Sequence, residues 1–245
     1  MNKFRYPNHW TIATGLYAET HGIINNDIYD PIKNQYFKMN KHKEDTPGWF
    51  ERHEPIWITN QKSNLAKKHS VIIDWPGNSA KFDLNDEEVS NYVYRHPNHL
   101  NFNITTFNDT IDYFVDNISY EKTNLAFLYF GEPDMTGHKY GPDSKETELI
   151  VKELDYVLVN LFNKLTQKKF LLNLEPDSVK TNQINEQFRQ INLIILTDHG
   201  MQKIRDRNVD FDVNRHVFLS DYIDVKHYLD IDKSSSGSFS GIYLN

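Results

Sequence analysis

Two short apolar runs, separated by an amphipathic stretch, limit most strongly what this chain can fold into. The runs are residues 125–130 and 193–196, and each has the length and composition of a strand buried inside a parallel sheet. Within the stretch that separates the two runs, Asp143 and Glu146 predict a helix capping box. The apolar stripe predicted for that helix comprises Ile150, Leu154, Val157, Leu158, Leu161 and Leu165. Strand, helix and strand in this order predict a right-handed crossover unit of an open α/β sheet.

Weaker signals predict further elements on either side of this unit. Residues 70–74 read as a short buried strand that ends at a Trp-Pro-Gly turn. Asn8 predicts the cap of a helix over residues 9–17, and residues 31–55 are polar and aromatic enough to be predicted as loop.

Charge and composition exclude several classes of function. The chain of 245 residues has a formal net charge of −7, which argues against a nucleic-acid duplex as partner because Lys and Arg dominate phosphate-backbone binding. A phosphate substrate remains compatible, since a metal ion supplies positive charge locally. There is no cysteine, so thiol catalysis and disulfides are excluded.

The sequence carries two opposing hints about location. No apolar run is long enough to span a membrane and residues 1–20 contain no signal core. Three glycosylation sequons at Asn103, Asn108 and Asn117 nevertheless suggest a secreted or cell-surface origin. Contact with a membrane is then expected only through segments absent from this chain.

Two acid–histidine pairs follow the two apolar runs. Asp134 and His138 come after the first run, and Asp198 and His199 come after the second. Ligands bind at the carboxyl edge of such sheets, so the two pairs are expected to meet there. Four oxygen and nitrogen donors suit a divalent metal, most plausibly zinc. The alternative for each pair is loop capping and core hydrogen bonding.

Several motifs together resemble a known family. They lie at residues 6–26, 48–57, 75–77, 132–142 and 197–201, in family order and spacing. The chain resembles the ectonucleotide pyrophosphatases/phosphodiesterases of the alkaline phosphatase superfamily. The resemblance implies an alkaline-phosphatase-like α/β fold with an open, mostly parallel sheet and helices on both faces. We expect residues 1–245 to form a partial catalytic domain, incomplete in its first strand and C-terminal part.

The resemblance also implies two Zn²⁺ ions and a role for each candidate residue. Asp134 and His138 match ligands of the first ion, and Asp198 and His199 match ligands of the second. Asn26 matches a residue whose side-chain amide donates to a phosphate oxygen.

Three aromatic residues match positions around the bound nucleotide. Tyr6 and Tyr129 match a pair that holds the base, and Trp75 lies in the segment that lines the same pocket. The alternatives stay open: Asn26 as a turn residue, the tyrosines as core or rim aromatics, and Trp75 as a packing residue.

The chain departs from the family pattern at the nucleophile. Arg5 occupies the position of the family's threonine nucleophile, and the remaining metal ligands of the family are not visible. We therefore expect weakened metal affinity and no covalent step in residues 1–245 alone, with zinc occupancy left open.

The first hypothesis is zinc-dependent hydrolysis of phosphodiester or pyrophosphate bonds in nucleotides, impaired in this chain. The alternatives are a non-catalytic remnant that binds nucleotide or a partner, and a phosphodiesterase of choline phospholipids. An intact family member is expected to be extracellular or at the cell surface.

Overall fold

The computed structural model describes residues 5–38, 48–63, 69–78, 80, 82, 92–94, 104–118, 123–168 and 191–203. The chain divides into two compact units. The first comprises residues 1–53 and 202–245, and the second comprises residues 54–201. Among the described residues, no helix is both long and apolar enough to cross a bilayer.

The first unit combines short helices with a hairpin. Helices α1 (Arg5–Thr14) and α2 (Ala18–His21) are followed by antiparallel strands β1 (Asp27–Asp30) and β2 (Gln35–Lys38), and a single 3₁₀ turn spans Phe50–Arg52. The predicted helix over residues 9–17 is therefore displaced, and the predicted loop over 31–55 is wrong in part because it contains β2 and the 3₁₀ turn.

Local backbone chemistry explains where α1 lies. Pro7 falls in its first turn, where a missing N–H costs nothing. Gly15 adopts φ +70° and its N–H donates to Thr11 O at 2.8 Å, which ends the helix in a left-handed C-terminal turn. The real boundaries thus follow Pro7 and Gly15, whereas the prediction followed Asn8.

Aromatic rings form the core of the first unit. Trp10 and Phe50 pack edge to face with ring centroids 4.8 Å apart, and Phe37 lies 5.5 Å from both Phe50 and Trp49. All four are buried. Rings of this size each bury a large apolar area, so they dominate the packing of the described part of this unit.

The second unit is the α/β part of the chain. Its elements are α3 (Ile56–Ser63), β3 (His69–Ile73), β4 (Tyr92–Tyr94), α4 (Ile104–Asn117), β5 (Thr123–Leu128), α5 (Asp134–Tyr140) and α6 (Lys145–Gln167). The strands form a parallel sheet in the order β4-β3-β5, with Ile73 opposite both Tyr94 and Leu128. This confirms the predicted α/β class with a parallel sheet.

Helices cover both faces of β3. Val71 and Ile73 join a buried cluster with residues from α4 and α6, including the predicted stripe positions Val157, Leu161 and Leu165. Because successive strand residues face opposite sides, Ile72 and its neighbour Phe127 lie on the other face. There the Phe127 ring packs 5.4 Å from the Trp57 ring of α3.

The cap of α6 differs from the prediction. The Ser144 hydroxyl accepts from the Thr147 N–H at 3.2 Å, and Ser144 has the extended backbone of an N-cap residue. The predicted Asp143/Glu146 box is therefore wrong by one residue. The hydroxyls of Ser144 and Thr147 also donate to Gly141 O at 2.8 Å, which favours this register.

Neither apolar run is a central buried strand in the described residues. Strand β5 lies at the edge of the described sheet, and its side chains are half-buried or exposed. Residues 193–196 form no strand there, and Ile194 and Ile195 are 77% and 63% exposed. The predicted second buried strand is wrong, because apolar composition favours a strand but does not supply a pairing partner.

Two of the three sequons lie on helix α4. The Asn108 side-chain oxygen accepts from Asn160 Nδ2 at 3.0 Å, and Asn117 Nδ2 donates to Tyr113 O at 2.8 Å. Asn103 lies outside the described residues. Both amides are thus engaged within the fold, which weakens the sequence argument for glycosylation at these two positions.

Candidate functional site

Helix α5 positions the first acid–histidine pair. Asp134 begins the helix and His138 lies one turn later, so that Asp134 Oδ1 is 3.4 Å from His138 Nε2. Glu132 accepts from the Thr136 N–H at 2.9 Å and holds the first turn. Of the two geometries open to this spacing, helical turn or folded loop, the chain adopts the helix.

Backbone carbonyls orient the second pair. His199 Nδ1 lies 3.0 Å from Gly200 O, and Thr197 Oγ1 donates to His199 O at 2.7 Å. Since a carbonyl only accepts, Nδ1 must carry the proton. A neutral His199 ring then presents a lone pair on Nε2, as a metal ligand requires. Sequence reasoning missed the Gly200 carbonyl, because every residue has one and no side-chain pattern marks it.

The structure brings the two pairs together. His199 Nε2 is 3.8 Å from Asp134 Oδ1 and 3.5 Å from Asp198 Oδ2. The side chains of Asp134, Asp198 and His199 are only 13%, 16% and 18% exposed. Residues 64 positions apart along the chain thus contribute polar atoms to one cluster, which we call the Asp/His cluster: Asp134, His138, Asp198 and His199. His138 is its most exposed member, at 35%.

The spacing within this cluster decides what it can bind. His199 Nε2 is buried and makes no hydrogen bond among the described residues, and 3.5–3.8 Å is too long for one. Tetrahedral zinc with ligand bonds of about 2.0–2.1 Å separates neighbouring donors by about 3.3 Å. The donor types and these distances are compatible with ligation of a divalent cation, and the distances are too long for direct hydrogen bonds from His199 Nε2 to these two oxygens.

The four residues nevertheless form a chain of contacts rather than a finished coordination shell. His138 contacts Asp134, which contacts His199, which contacts Asp198. In the described part of the chain, no group of three or more His, Asp or Glu side chains is arranged so that it could hold a metal ion. Their role as ligands stays a prediction.

Asn26, in the first unit, is buried and has a structural task. Its Oδ1 accepts from the Tyr6 N–H at 2.9 Å. Tyr6 is the second residue of α1, so this bond satisfies one of the N–H groups that a helix leaves without an intrahelical partner. The bond also fixes which way the Asn26 amide faces. The sequence had suggested a turn residue or a phosphate donor, but not a helix cap.

The aromatic candidates lie in ring clusters. Tyr6 packs 5.5 Å from Phe37 in the first unit. In the second unit, the Trp75 ring lies 4.9 Å from Phe127 and 6.5 Å from Tyr129, both nearly perpendicular to it. Trp75 is buried, as its packing alternative predicts, while Tyr6 and Tyr129 are half-buried.

Two further residues of the first unit are Arg5, which the sequence singled out, and the buried histidine His21. Arg5 is the first residue of α1. His21 is fully buried; its Nδ1 accepts from the Ile23 N–H at 3.1 Å and its Nε2 lies 3.0 Å from Thr11 Oγ1. Burial, with a further contribution from His53, lowers the pKa of His21 below its usual 6.5. His21 is therefore a structural histidine, and its burial favours the neutral form.

Comparison with known proteins extends the picture over the whole chain. The family described as Type I phosphodiesterase / nucleotide pyrophosphatase matches residues 1–245. Human ectonucleotide pyrophosphatase/phosphodiesterase family member 5 is 31% identical over 248 residues, covering 97% of this chain and 44% of the relative. Human bis(5'-adenosyl)-triphosphatase ENPP4 is 32% identical over 209 residues, covering 84% of this chain and 40% of the relative.

A solved structure agrees with these sequence relatives. Murine ectonucleotide pyrophosphatase/phosphodiesterase 5, in an inactive form in complex with AMP, is 34% identical with a TM-score of 0.56. The match covers 67% of this chain and 41% of that one. The chain thus spans about two-fifths of the length of the curated relatives and of this structure.

Proposed function

Because the chain belongs to the type I phosphodiesterase / nucleotide pyrophosphatase family, we propose that it serves zinc-dependent hydrolysis of phosphodiester or pyrophosphate bonds in nucleotides. One observation carries the proposal: the Asp/His cluster gathers two carboxylates and two imidazoles from sequence-distant segments. We further propose that residues 1–245 form part of one catalytic domain.

The Asp/His cluster would hold the zinc. Asp134 and His138 would serve one ion, and Asp198 and His199 the other. Bound zinc supplies Lewis-acid stabilisation of the negative charge on phosphoryl oxygens. The Gly200 carbonyl prepares His199 for this role, because it fixes the proton on Nδ1 and leaves Nε2 to the metal.

Three other positions would act on the substrate. Asn26 would donate from its side-chain amide to a phosphate oxygen, and the bond from the Tyr6 N–H to Oδ1 restricts the orientation of that amide. Tyr6 and Tyr129 would contact the base, with Trp75 as packing support for Tyr129. The AMP in the murine relative is a nucleotide of the class proposed here.

A second candidate function rests on Arg5. The family resemblance places the threonine nucleophile at this position, and an arginine guanidinium cannot form the covalent intermediate. A chain with this residue would bind zinc and nucleotide without rapid turnover. We expect this behaviour of residues 1–245 alone.

One experiment separates the two candidates. The chain is incubated with a p-nitrophenyl ester of a nucleotide while Zn²⁺ is titrated, and binding of AMP is followed by calorimetry in parallel. p-Nitrophenylphosphorylcholine serves as the comparison substrate for the choline alternative. Asp134→Asn tests dependence on the cluster, and Asp155→Asn, an exposed site on α6, is its matched control.

Each result has one meaning. Zinc-dependent release of nitrophenol that Asp134→Asn abolishes supports catalysis by the chain. Zinc-dependent AMP binding without release supports the second candidate. Absence of both AMP binding and release at saturating Zn²⁺ refutes the proposed function, and preference for the choline ester transfers it to lipid substrates.

A further inference from the structure

A close approach between Gly137 and Met201 joins the two halves of the Asp/His cluster. Gly137 is buried in helix α5, one residue before His138. A methyl group built at Gly137 would lie 2.6 Å from Met201 Sδ and 3.2 Å from Met201 Cε. The thioether therefore crosses the helix at the one position of α5 that has no side chain to obstruct it.

The placement of this contact matters because of what flanks it. Gly137 is adjacent to His138, and Met201 follows His199 by two residues. Asp134 and His199 approach each other at 3.8 Å across the same pair of segments. The contact between Gly137 and Met201 holds the segment after His199 close to α5, so it constrains the distance between Asp134 and His199.

We propose that Met201 is a positioning residue, which we call the Met201 latch. Its thioether, seated over Gly137, holds the turn of Asp198 and His199 against the helix of Asp134 and His138. The part of this inference that concerns zinc affinity rests on the proposed function. It goes beyond that function because neither residue is a ligand.

Two effects of opposite sign decide what a methyl at Gly137 does. Replacing a helical glycine by alanine stabilises a helix. Overpacking destabilises a fold where neighbours cannot move, but a methionine side chain is flexible and moves readily. Gly137→Ala should therefore displace Met201 at little cost in stability, while it loosens the turn that carries His199.

The test is a double-mutant cycle on Gly137→Ala and Met201→Ala. Apparent Zn²⁺ affinity is measured by competition with a chromophoric chelator. Hydrogen exchange of the peptide that covers residues 193–203 is measured by mass spectrometry in the metal-free protein. Met135→Ala is the matched control, because it truncates a methionine of helix α5 that is 43% exposed.

Outer-shell substitutions of this kind typically weaken metal binding by about 10–100-fold. We expect each single variant to lose about tenfold in Zn²⁺ affinity, with faster exchange in residues 193–203 and unchanged exchange in α6. Because both variants remove one contact, the double variant should lose about tenfold rather than a hundredfold. Met135→Ala should match the wild type.

Several outcomes would overturn the latch. Unchanged exchange and unchanged affinity in both single variants, multiplicative losses in the double variant, or an equal effect of Met135→Ala would each do so. If the wild type binds no Zn²⁺, the proposed function fails, and the exchange arm still decides the latch independently.

Discussion

The metal-free stability of Asp134→Asn distinguishes a cation site from a network of ion pairs. Asp134 Oδ1 and Asp198 Oδ2 lie 3.8 and 3.5 Å from the same nitrogen, His199 Nε2. The two carboxylate oxygens are therefore at most about 7 Å apart, and with an effective dielectric constant of about 20 the repulsion between two charged carboxylates costs about 2 kcal/mol. Without a cation, the asparagine should relieve this cost.

Whether Asp134→Asn stabilises or destabilises the metal-free protein distinguishes the two possibilities. If the cluster is a set of acceptors awaiting a cation, Asp134→Asn stabilises the metal-free protein by up to about 2 kcal/mol. If His199 instead carries a second proton and pairs with both carboxylates, the same change removes an attraction of about 4 kcal/mol at 3.8 Å. This loss exceeds the repulsion of about 2 kcal/mol that the change relieves, so the variant is destabilised by the difference.

Urea unfolding at pH 8 with and without chelator measures both the stability of the metal-free protein and the stability gained from Zn²⁺. At Zn²⁺ one hundred times its dissociation constant, the wild type should gain about 2.7 kcal/mol. A hundredfold loss of affinity in Asp134→Asn leaves a gain of about 0.4 kcal/mol at the same concentration. Asp155→Asn should behave as the wild type in both conditions. The cation-site interpretation would be refuted if Asp134→Asn destabilises the metal-free protein and still gains as much unfolding free energy from Zn²⁺ as the wild type.

Three further predictions concern the fold. Burial lowers the pKa of His21, so below about pH 6.5 the unfolded chain binds more protons than the folded chain. The free energy of unfolding should therefore fall as the pH drops below that value, by at most about 1.4 kcal/mol per pH unit. A His21→Asn variant with the same pH profile in urea titrations would contradict this. Leu161 is buried in the α4/α6/β3 cluster, so Leu161→Ala should lower the free energy of unfolding by about 2–5 kcal/mol. Leu149 lies on the same helix but is exposed, so Leu149→Ala should change it by less than about 0.5 kcal/mol. Ile195 is largely exposed, so Ile195→Ser should leave the urea midpoint unchanged and reduce concentration-dependent light scattering; a large loss of stability would show that this side chain is buried in solution.

Local patterns predicted the elements whose signal is contained within them. The stripe of Val157, Leu161 and Leu165 repeats at helical spacing, and helix α6 buries it as predicted. The strand predicted over residues 70–74 appears as β3, one residue earlier. Its neighbour β5 was located correctly but was expected inside the sheet, whereas it lies at the edge of the described sheet.

Polar details were predicted less well, because they depend on backbone atoms. The cap of α6 moved from Asp143 to Ser144, where the hydroxyl meets the Thr147 N–H and Gly141 O. Asn26 proved to cap α1 from 20 positions away in sequence. The orientation of His199 depends on the Gly200 carbonyl. None of these bonds involves a residue type that uniquely predicts it.

By itself, the sequence determined the class of fold and the chemical identity of the candidate site. Residue type and periodicity are local properties, so they specified an α/β chain with two acid–histidine pairs. Only the tertiary structure decided that β3 pairs with both β4 and β5, that residues 193–196 form no strand among the described residues, and that Asp134 and His199 approach to 3.8 Å. Those outcomes depend on which distant segments pack together, a choice that the free energy of the whole fold makes and no local pattern contains.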